Sequence, residues 1–307
     1  MRRLFGTDGM RGEAGQFPLD AATVKITGRS LARHLAEQHG GRAPRIIVGR
    51  DTRESGPWIE RALIAGALEA GAQVQSAGVI TTPGVAYLVR RLPADAGVVI
   101  SASHNPYQDN GIKVFAPSGR KLDDATERRI EADIARESGE QWASVPSESA
   151  AGEDLADSQQ ASALRSRYLD YLAEEVAAGL SLEGMSIAVD CANGAASELA
   201  PALFRRLGAR VCDINSQPDG RNINHDCGSL HIEGLRETVF AERTHLGVAF
   251  DGDADRALFI DARGDFVDGD ATLWVMAQYL AERGKLKDGL VVATVMSNIG
   301  LEIALRS

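Results

Sequence analysis

The feature that most limits the fold of this chain is a repeated alternation between short apolar runs and segments with helical spacing of apolar residues. The run 97–101, Gly-Val-Val-Ile-Ser, has the length and β-branched content of a buried strand. The segment that begins at Thr82 instead repeats its apolar residues as one buried helical face does, at Val85, Leu88, Val89 and Leu92. Because this alternation recurs along most of the chain, we predict an α/β fold with mixed, mostly parallel sheets covered by helices on both faces.

Length and a change in composition predict a division into successive α/β domains. With 307 residues and about 150 residues in a typical domain, at least two domains are expected. Between about 137 and 160 the composition shifts to Ser, Glu, Ala, Gly and Gln and the apolar periodicity fades, which indicates a boundary or a surface excursion. We predict three domains, at 1–155, 156–256 and 257–307. The third, with a hairpin near Arg263 and a strand at 290–295, is expected to be truncated.

Composition and charge argue against two classes of partner. The 33 Lys and Arg against 43 Asp and Glu give a formal net charge of −10, and without a long basic run a nucleic-acid binder that neutralises phosphates is not expected. No segment approaches the roughly 20 consecutive apolar residues of a membrane-spanning helix, and the N-terminus lacks the apolar stretch of a secretory signal. The three cysteines show no CxxC spacing, so neither a disulfide framework nor a zinc ribbon is predicted. A cytoplasmic protein is expected.

A polar loop behind a predicted strand displays a serine beside a histidine. The segment 100–107 reads Ile-Ser-Ala-Ser-His-Asn-Pro-Tyr, and Pro106 disfavours helical backbone at the preceding Asn105. In open α/β sheets, ligands bind beyond the carboxyl ends of the strands, which is where Ser103 and His104 are predicted to lie. Neighbouring Ser and His residues do not by themselves make a catalytic triad, and an ordinary polar turn has a similar composition.

Three aspartates alternate directly behind another predicted strand. They stand at i, i+2 and i+4 in the sequence Asp-Gly-Asp-Ala-Asp-Arg, at Asp251, Asp253 and Asp255. A hard divalent cation would relieve their mutual repulsion, and an all-oxygen ligand set suits Mg²⁺. An EF-hand is excluded, because Arg256 stands where that loop needs Gly and Ala262 where it needs Glu. A solvated acidic turn is the alternative, but such turns seldom place alternate aspartates behind a buried strand.

Basic residues in other loops are candidates for phosphate contacts. The segment 5–12, Phe-Gly-Thr-Asp-Gly-Met-Arg-Gly, has glycines that permit close backbone approach. Within it, Arg11 offers the forked donor that suits phosphate. Lys113 is a candidate proton shuttle or phosphate contact, although surface lysines on strands are common. Arg50 and Arg53 lie at the end of a predicted strand, where they could support the site or simply pair with local acids.

These segments, in this order, resemble the α-D-phosphohexomutase family. The matches extend from residue 5 almost to the end of the chain, with FGTDGMRG at 5–12, VGRDTRESG at 48–56, ISASHNP at 100–106, DNGIKVF at 109–115 and DGDADR at 251–256. Each segment alone is weak, whereas five in register are specific. The opening FGTDG-x-RG is similar to the glucosamine branch of the family rather than to the phosphomannomutase and phosphoglucomutase branches.

The resemblance implies a phosphoserine and a metal at the centre of the site. Ser103 would carry the phosphoryl group. One Mg²⁺ would be held by Asp251, Asp253 and Asp255 together with an oxygen of the phosphoserine at Ser103. The metal would take up charge on the transferring oxygens, since phosphoryl transfer depends mainly on positioning and charge neutralisation.

The same resemblance implies roles for the neighbouring residues. Besides Ser103, the expected catalytic residues are Lys113 and Arg11, which would assist proton transfer and stabilise developing charge, and His104, which would shape the serine loop. Arg256 would help to order the metal loop. The expected substrate- and phosphate-binding residues are Arg256 and Asn105.

The implied reaction is the interconversion of glucosamine 6-phosphate and glucosamine 1-phosphate through a bound hexose 1,6-bisphosphate. The protein would then be an isomerase with a small sugar phosphate as its partner, and a homodimer is allowed by the sequence. One alternative is another phosphohexomutase, acting on mannose or glucose phosphates. A second is a non-catalytic module that binds metal or sugar phosphate. A third is a phosphohydrolase with an aspartate nucleophile, but Ala254 stands where such enzymes normally have Thr or Val.

The first prediction concerns turnover by this chain. The family's sugar-recognition loop, of Gly-Glu-x-Ser-Gly-His type, and its Arg-x-Ser-Gly-Thr phosphate-binding loop do not occur in the sequence. Because binding energy from remote parts of a substrate orients the reacting centre, we expect the chain to bind Mg²⁺ and carry phosphoserine but to isomerise poorly or not at all. The check is an assay of glucosamine 1-phosphate formation from glucosamine 6-phosphate with a catalytic bisphosphate. Turnover of about 1 s⁻¹ or faster, normal for an enzyme, would contradict this expectation.

Overall fold

The computed structural model describes residues 3–138 and 158–306, which contain two mixed β-sheets with helices on both faces. The strands are β1 (Phe5–Gly6), β2 (Gly9–Glu13), β3 (Arg45–Arg50), β4 (Gln73–Val79), β5 (Ala96–Ile100), β6 (Asp109–Phe115), β7 (Ser186–Asp190), β8 (Arg210–Ile214), β9 (Leu246–Phe250), β10 (Ala257–Asp261) and β11 (Phe266–Val267). The α-helices are α1 (Ala21–Gln38), α2 (Gly56–Glu69), α3 (Thr82–Arg91), α4 (Asp124–Ser138), α5 (Gln159–Tyr171), α6 (Ala196–Arg206), α7 (Glu233–Glu242), α8 (Gly269–Glu282) and α9 (Ile299–Arg306).

Parallel strands form the centre of each sheet. The first sheet has the order β1-β2-β6-β5-β3-β4, in which β3 is parallel to β4 and β5. The second has the order β11-β10-β9-β7-β8, in which β7 is parallel to β8 and β9. The predicted α/β fold with mixed sheets is confirmed. Antiparallel pairs are more frequent than expected, because β6 and β10 return directly from a loop beside the strand that precedes them, without a crossover helix.

The central strands bury both faces, which explains their continuous apolar runs. In β3, Ile46 and Val48 pack in the core formed with α1, α2 and α4, whereas Ile47 packs in the core formed with α3 and α5. In β7, Ile187 lies on the side of α6 and Ala188 on the side of α7. Successive side chains of a strand point to opposite faces, so a strand covered on both sides needs apolar residues at every position.

The second sheet extends past the predicted end of the metal-loop domain. Because β10 and β11 continue this sheet from β9, residues up to Val267 belong to it rather than to a third domain that begins at 257. The hairpin predicted near Arg263 joins these two strands and is confirmed. The predicted boundary between 155 and 156 lies outside the described residues.

The prediction of a strand at 290–295 is wrong. This segment has no regular secondary structure, and its apolar side chains, among them Leu290, Val292 and Val295, are exposed. A strand needs a neighbour to accept its backbone hydrogen bonds. Within 3–138 and 158–306, no strand lies beside this segment. An apolar run alone therefore did not suffice to form a strand here.

Contacts of α5 and several loops join the two halves of the molecule, which are the sheet of β1–β6 with its helices and the sheet of β7–β11 with its helices. Leu164 and Tyr168 of α5 pack in the core that also contains residues of α3 and β4. Thr52 Oγ1 donates to the carbonyl oxygen of Asn193 at 2.6 Å, and the Glu54 amide donates to the carbonyl of Gly220 at 2.9 Å. These contacts connect the loop after β3 to loops of the second sheet. Among the described helices, none combines the length and the apolar character needed to cross a membrane.

The fold allows a prediction about acid stability through Asp95, which joins the starts of two neighbouring strands. Its carboxylate accepts the Arg45 amide at 2.8 Å and the Arg42 guanidinium at 2.5 Å. Burial acts to raise the pKa of Asp95, but these hydrogen bonds and the Arg42 charge prevail and lower it. Asp95→Asn should therefore lower the free energy of unfolding at pH 7 by about 1–3 kcal/mol.

The pH dependence of this difference has a definite sign. A carboxyl whose pKa is lower in the folded state stabilises the fold above its unfolded pKa of about 3.9, and this stabilisation is lost as the pH falls through the folded value. Urea unfolding of wild type and Asp95→Asn should thus converge as the pH is lowered below about 4. Asp288→Asn, at an exposed position, is the matched control and should track wild type throughout. A wild-type to Asp95→Asn difference that did not vary with pH would show that the carboxylate charge is unimportant.

Candidate active site

Two loops, one from each sheet, meet at the candidate active site. The loop between β5 and β6 carries Ser103, and the loop between β9 and β10 carries Asp251. Ser103 Oγ donates to Asp251 Oδ2 at 2.6 Å, although the two residues are 148 positions apart. Both side chains are buried. The structure thus brings the predicted serine into direct contact with the predicted metal loop.

The three predicted metal ligands form one acidic cluster. Asp251, Asp253 and Asp255 each offer a carboxylate oxygen within 4.8 Å of the others, and the first two are buried. Burial, with the charges of Asp253 and Asp255, raises the pKa of Asp251 to about 6. Buried carboxylates at this spacing repel one another and lack the solvation of water, so the cluster favours a bound cation.

Asp253 is held through one of its two oxygens, while the other has no partner. Its Oδ2 accepts Lys113 Nζ at 2.9 Å and Thr82 Oγ1 at 2.6 Å. Burial acts to raise the pKa of Asp253, but the Lys113 charge and these hydrogen bonds prevail and lower it. Its Oδ1 is buried and has no hydrogen-bond partner in the described part of the chain. Buried polar atoms are rarely left unsatisfied in native proteins, so a bare carboxylate oxygen in this cluster fits a metal ligand.

The donor set suits Mg²⁺ better than a soft metal. Three carboxylates, with a serine oxygen beside them, offer only hard oxygen atoms. Lys113 also lies 3.6 Å from Asp255, so a buried ammonium offsets part of the negative charge. Lys113 and the half-exposed Arg256 guanidinium, which lies 4.0 Å from Asp251 and from Asp255, do not balance three carboxylates, and the described residues therefore fit a divalent cation.

The serine loop holds Ser103 in an unusual backbone conformation. Ser103 has φ of +55°, in the left-handed region that costs an L-residue about 1–2 kcal/mol. Its amide donates to Ser101 Oγ at 2.9 Å, and Ser101 Oγ donates in turn to Asp51 Oδ2 at 2.6 Å. Strained backbone persists only where the surroundings hold it. Here a chain of buried hydrogen bonds from the end of β3 holds it.

Two further side chains reach the carbonyl groups of this loop, and the sequence analysis did not single them out as site residues. Arg53 Nη2 donates to the Ser103 carbonyl at 2.9 Å, and Asn224 Nδ2 donates to the same oxygen at 2.9 Å. The sequence leaves Arg53 either as a support of the site or as a partner of local acids, and Arg50, in the same motif, does pair with Glu60. Asn224 lies in a long polar loop that carries no motif. Only the folded chain brings it to the serine.

A glycine permits the two loops to touch. A Cβ on Gly252 would lie 2.6 Å from the Ser103 carbonyl oxygen and 2.9 Å from Asn224 Nδ2. Contacts this short do not occur for real Cβ atoms, and one of them is to rigid backbone. The glycine between the first two aspartates therefore allows the metal loop to approach the serine loop.

His104 and Arg256 both lie beside the contact between Ser103 and Asp251. His104 Nδ1 is 3.4 Å from Ser103 Oγ. Burial, followed by the charges of Arg256 and Arg11, lowers the pKa of His104. The Arg256 amide donates to Asp251 Oδ1 at 3.1 Å, while its half-exposed guanidinium lies 4.0 Å from the Asp251 carboxylate. The backbone of Arg256 therefore closes the metal loop and its charge remains near the surface.

Of the two remaining predicted phosphate contacts, Asn105 is paired within its own loop and Arg11 keeps a donor that is unpaired within the described part of the chain. Asn105 Nδ2 donates to Asp109 Oδ2 at 2.8 Å, so in this structure the amide closes the serine loop. Arg11 Nη2 lies 3.2 Å from Asp8, but its Nε is buried and has no hydrogen-bond partner among the described residues. Arg11 is thus the predicted phosphate contact that has an unused buried donor.

Thr82 provides a test of the metal site that leaves all three aspartates intact. Residues that orient a metal ligand contribute about 10–100-fold to metal affinity, and Thr82 Oγ1 orients Asp253. Thr82→Val should therefore weaken Mg²⁺ binding by about 10–100-fold in calorimetric titration. Thr27→Val is the matched control, because this buried threonine donates to the Thr23 carbonyl within α1, and it should bind like wild type. Equal affinity in Thr82→Val and wild type would argue against a metal at Asp253.

Domain models of one family match most of the chain. The models describe the alpha/beta/alpha domains of phosphoglucomutase/phosphomannomutase, with domain I at 2–141, domain II at 166–264 and domain III at 268–307. The end of the domain II match agrees with the assignment of β10 to the second sheet.

Curated relatives share about half of their residues with this chain. A phosphoglucosamine mutase of Solibacter usitatus is 50% identical over 301 residues, which cover 98% of this chain and 65% of that protein. A phosphoglucosamine mutase of Mycobacterium ulcerans is 48% identical over 306 residues, covering 100% of this chain and 66% of that protein. The chain thus spans about two thirds of the length of the curated relatives it matches.

Solved structures show the same architecture. A putative phosphomannomutase of Thermus thermophilus superimposes with a TM-score of 0.72 at 26% identity, over 91% of this chain and 62% of that one. A phosphoglucomutase/phosphomannomutase family protein of Burkholderia thailandensis gives a TM-score of 0.74 over 92% of this chain and 60% of that one, and at 24% identity it supports the fold alone. Together with the domain matches and the curated relatives, these likenesses establish that the chain belongs to the phosphoglucomutase/phosphomannomutase family, the α-D-phosphohexomutases.

Proposed function

We propose that this chain carries the phosphoryl-transfer centre of a phosphoglucosamine mutase, with Ser103 as the residue that receives and donates the phosphoryl group. The observation that carries this proposal is the 2.6 Å contact between Ser103 Oγ and Asp251 inside a buried acidic cluster. A serine presented to a metal-binding cluster has the surroundings that phosphoryl transfer needs, which are fixed position and neutralised charge.

The residues around Ser103 divide the work of the reaction. Asp251, Asp253 and Asp255 would hold Mg²⁺, which when bound takes up charge on the transferring phosphoryl oxygens. Lys113 keeps Asp253 ionised and oriented through its 2.9 Å contact. His104, 3.4 Å from Ser103 Oγ, and Arg11, with its buried free Nε, are placed to assist proton transfer and to bind phosphate oxygens.

The proposed reaction consists of two phosphoryl transfers in opposite directions. In the first, the bond between Ser103 Oγ and phosphorus breaks, and a bond forms between phosphorus and a hydroxyl oxygen of the sugar phosphate. The hydroxyl proton leaves to a base and the serine oxygen regains a proton. The bound 1,6-bisphosphate then presents its other phosphoryl group, and the same steps in reverse restore phosphoserine and release the isomer.

Glucosamine phosphate is the proposed substrate because the sequence is similar to those of phosphoglucosamine mutases. The curated phosphoglucosamine mutases named above are 48–50% identical to the chain, and FGTDGMRG at 5–12 is of the glucosamine type. Mannose and glucose phosphates are the alternatives to be compared.

Phosphoryl loading of Ser103 tests the proposal directly. We expect the chain, incubated with Mg²⁺ and glucosamine 1,6-bisphosphate, to gain one phosphoryl group in intact-mass measurement, and peptide mapping to place it on Ser103. Ser103→Ala should gain none, since the accepting oxygen is gone. Ser118→Ala, at an exposed turn, is the matched control and should load like wild type.

The direction of transfer is tested in a second step. Loaded chain, freed of bisphosphate, should pass its phosphoryl group to glucosamine 6-phosphate or 1-phosphate faster than to the mannose or glucose phosphates. An unmodified Ser103, with a labile phosphate on an aspartate, would indicate a phosphohydrolase instead. Loss of phosphate only to water, at a rate that no sugar phosphate changes, would show that this chain passes no phosphate to a sugar, whereas a chain whose Ser103 gains no phosphoryl group from the bisphosphate would refute the mutase proposal.

A further inference from the structure

We propose that Arg53 and Asn224, from loops of different sheets, are positioning residues that together set the place of the Ser103 hydroxyl by holding the same two carbonyl groups of the serine loop. The proposal rests on the function proposed above, because it concerns how the phosphoryl-accepting oxygen is placed. Neither residue touches Ser103 Oγ; each acts through the backbone.

Arg53 is fully buried and directs its charge at the serine loop. Its Nη2 donates to the carbonyl oxygens of Ser103 at 2.9 Å and Asn105 at 2.8 Å. Its Nη1 donates to the carbonyl of Asp109 at 2.9 Å and to the carbonyl of Pro106. Its Nε donates to Asp51 at 2.9 Å, and this is its ion-pair partner. Four of the five acceptors are thus carbonyls of the loop or its end.

Asn224 reaches the same two carbonyls from the second sheet's side of the site. Its Nδ2 lies 2.9 Å from the Ser103 oxygen and 3.2 Å from the Asn105 oxygen. The backbone N–H of Asn224 donates to the carbonyl of Ala192 at 2.9 Å, which connects Asn224 to the loop after β7. Each of the two carbonyls therefore receives one donor from each half of the molecule.

The hydrogen bonds from Arg53 and Asn224 fix the orientation of Ser103. With its carbonyl held and its amide bound to Ser101 Oγ at 2.9 Å, Ser103 has both peptide groups fixed and stays at φ of +55°. Without the hydrogen bonds to its carbonyl, the backbone of Ser103 is free to relax to the extended region that serine prefers. Rotation of the peptide would carry Oγ away from Asp251, whereas the three aspartates, on a separate loop, would remain in place.

A lysine at position 53 cannot replace this pattern. Guanidinium has five N–H donors in a rigid planar fork, and an ammonium has three donors at a single point. Arg53→Lys therefore keeps the buried positive charge beside Asp51 but loses most of the carbonyl contacts. Asn224→Ala is milder, since it removes one donor at a half-buried position and leaves the Arg53 contacts intact.

The experiment compares these two variants with Arg50→Lys in the full chain. Arg50 is a buried arginine at the end of β3, three positions before Arg53, and it pairs with Glu60 on α2, so this control reports the general effect of changing a buried arginine to lysine. For each protein, three quantities are measured: the rate of Ser103 phosphorylation by glucosamine 1,6-bisphosphate, the Mg²⁺ affinity by calorimetry, and backbone hydrogen exchange in peptides covering 101–109.

We expect the phosphorylation rate to fall about 100-fold in Arg53→Lys, a loss that a misplacement near 1 Å can cause. In Asn224→Ala we expect about a 10-fold fall, corresponding to the loss of its two hydrogen bonds to neutral carbonyls while the Arg53 contacts remain. Mg²⁺ affinity should stay at the wild-type value in both, while exchange at 101–109 becomes faster. Arg50→Lys should change neither the rate nor the exchange at 101–109.

Two results would overturn the proposal. One is wild-type exchange at 101–109 in both variants, and the other is a loss of rate in Arg53→Lys that Arg50→Lys matches. If Arg53→Lys does not fold, Asn224→Ala alone decides by the same readouts. Failure of the wild-type chain to load Ser103 would instead refute the proposed function, and the exchange measurement would still decide whether Arg53 and Asn224 hold the loop.

Discussion

The constraint on which this molecule depends is a buried excess of negative charge beside a serine hydroxyl. Asp251 and Asp253 lie out of contact with water, and Lys113 supplies a buried positive charge next to them. Such a cluster is unfavourable unless hydrogen bonds and a cation compensate it. The unpaired Oδ1 of Asp253 marks where compensation within the described chain stops. The stability cost of the cluster is thus tied to the metal-binding capacity that the proposed chemistry uses.

Both halves of the site occupy the same kind of place in their sheets. The serine loop and the metal loop each follow a central strand and then return as an antiparallel neighbour, β5 to β6 and β9 to β10. A short return of this kind holds a loop at both ends, unlike a crossover that leads away into a helix. The packing of α5 and the close approach at Gly252 bring the two loops together. The serine loop belongs to the first sheet and the metal loop to the second, so the site forms only when both sheets are in place.

Much of the secondary structure and the run of aspartates at the site could be predicted from the sequence, because both depend on local patterns. Strands buried on two faces and helices with one apolar stripe leave distinct periodicities, and alternating aspartates behind a strand are a strong local signal. The strand at 290–295 failed because a strand depends on a neighbour, which an apolar run does not supply. The sheet to which β10 belongs was misjudged for the same reason, since pairing between strands leaves no trace in composition.

The sequence by itself determined the α/β class, the loops at the carboxyl ends of strands and the run of alternating aspartates, since these follow from short-range order and side-chain chemistry. Ser103 was distinguished from an ordinary polar turn only by the family resemblance. Tertiary structure alone decided that Ser103 Oγ and Asp251 Oδ2, from residues 148 positions apart, lie 2.6 Å from each other. It also decided that Arg53 and Asn224 would share two backbone carbonyls. A hydrogen bond to a carbonyl group does not depend on the side chain of the residue that carries it, so no residue pattern in the chain could have announced these contacts.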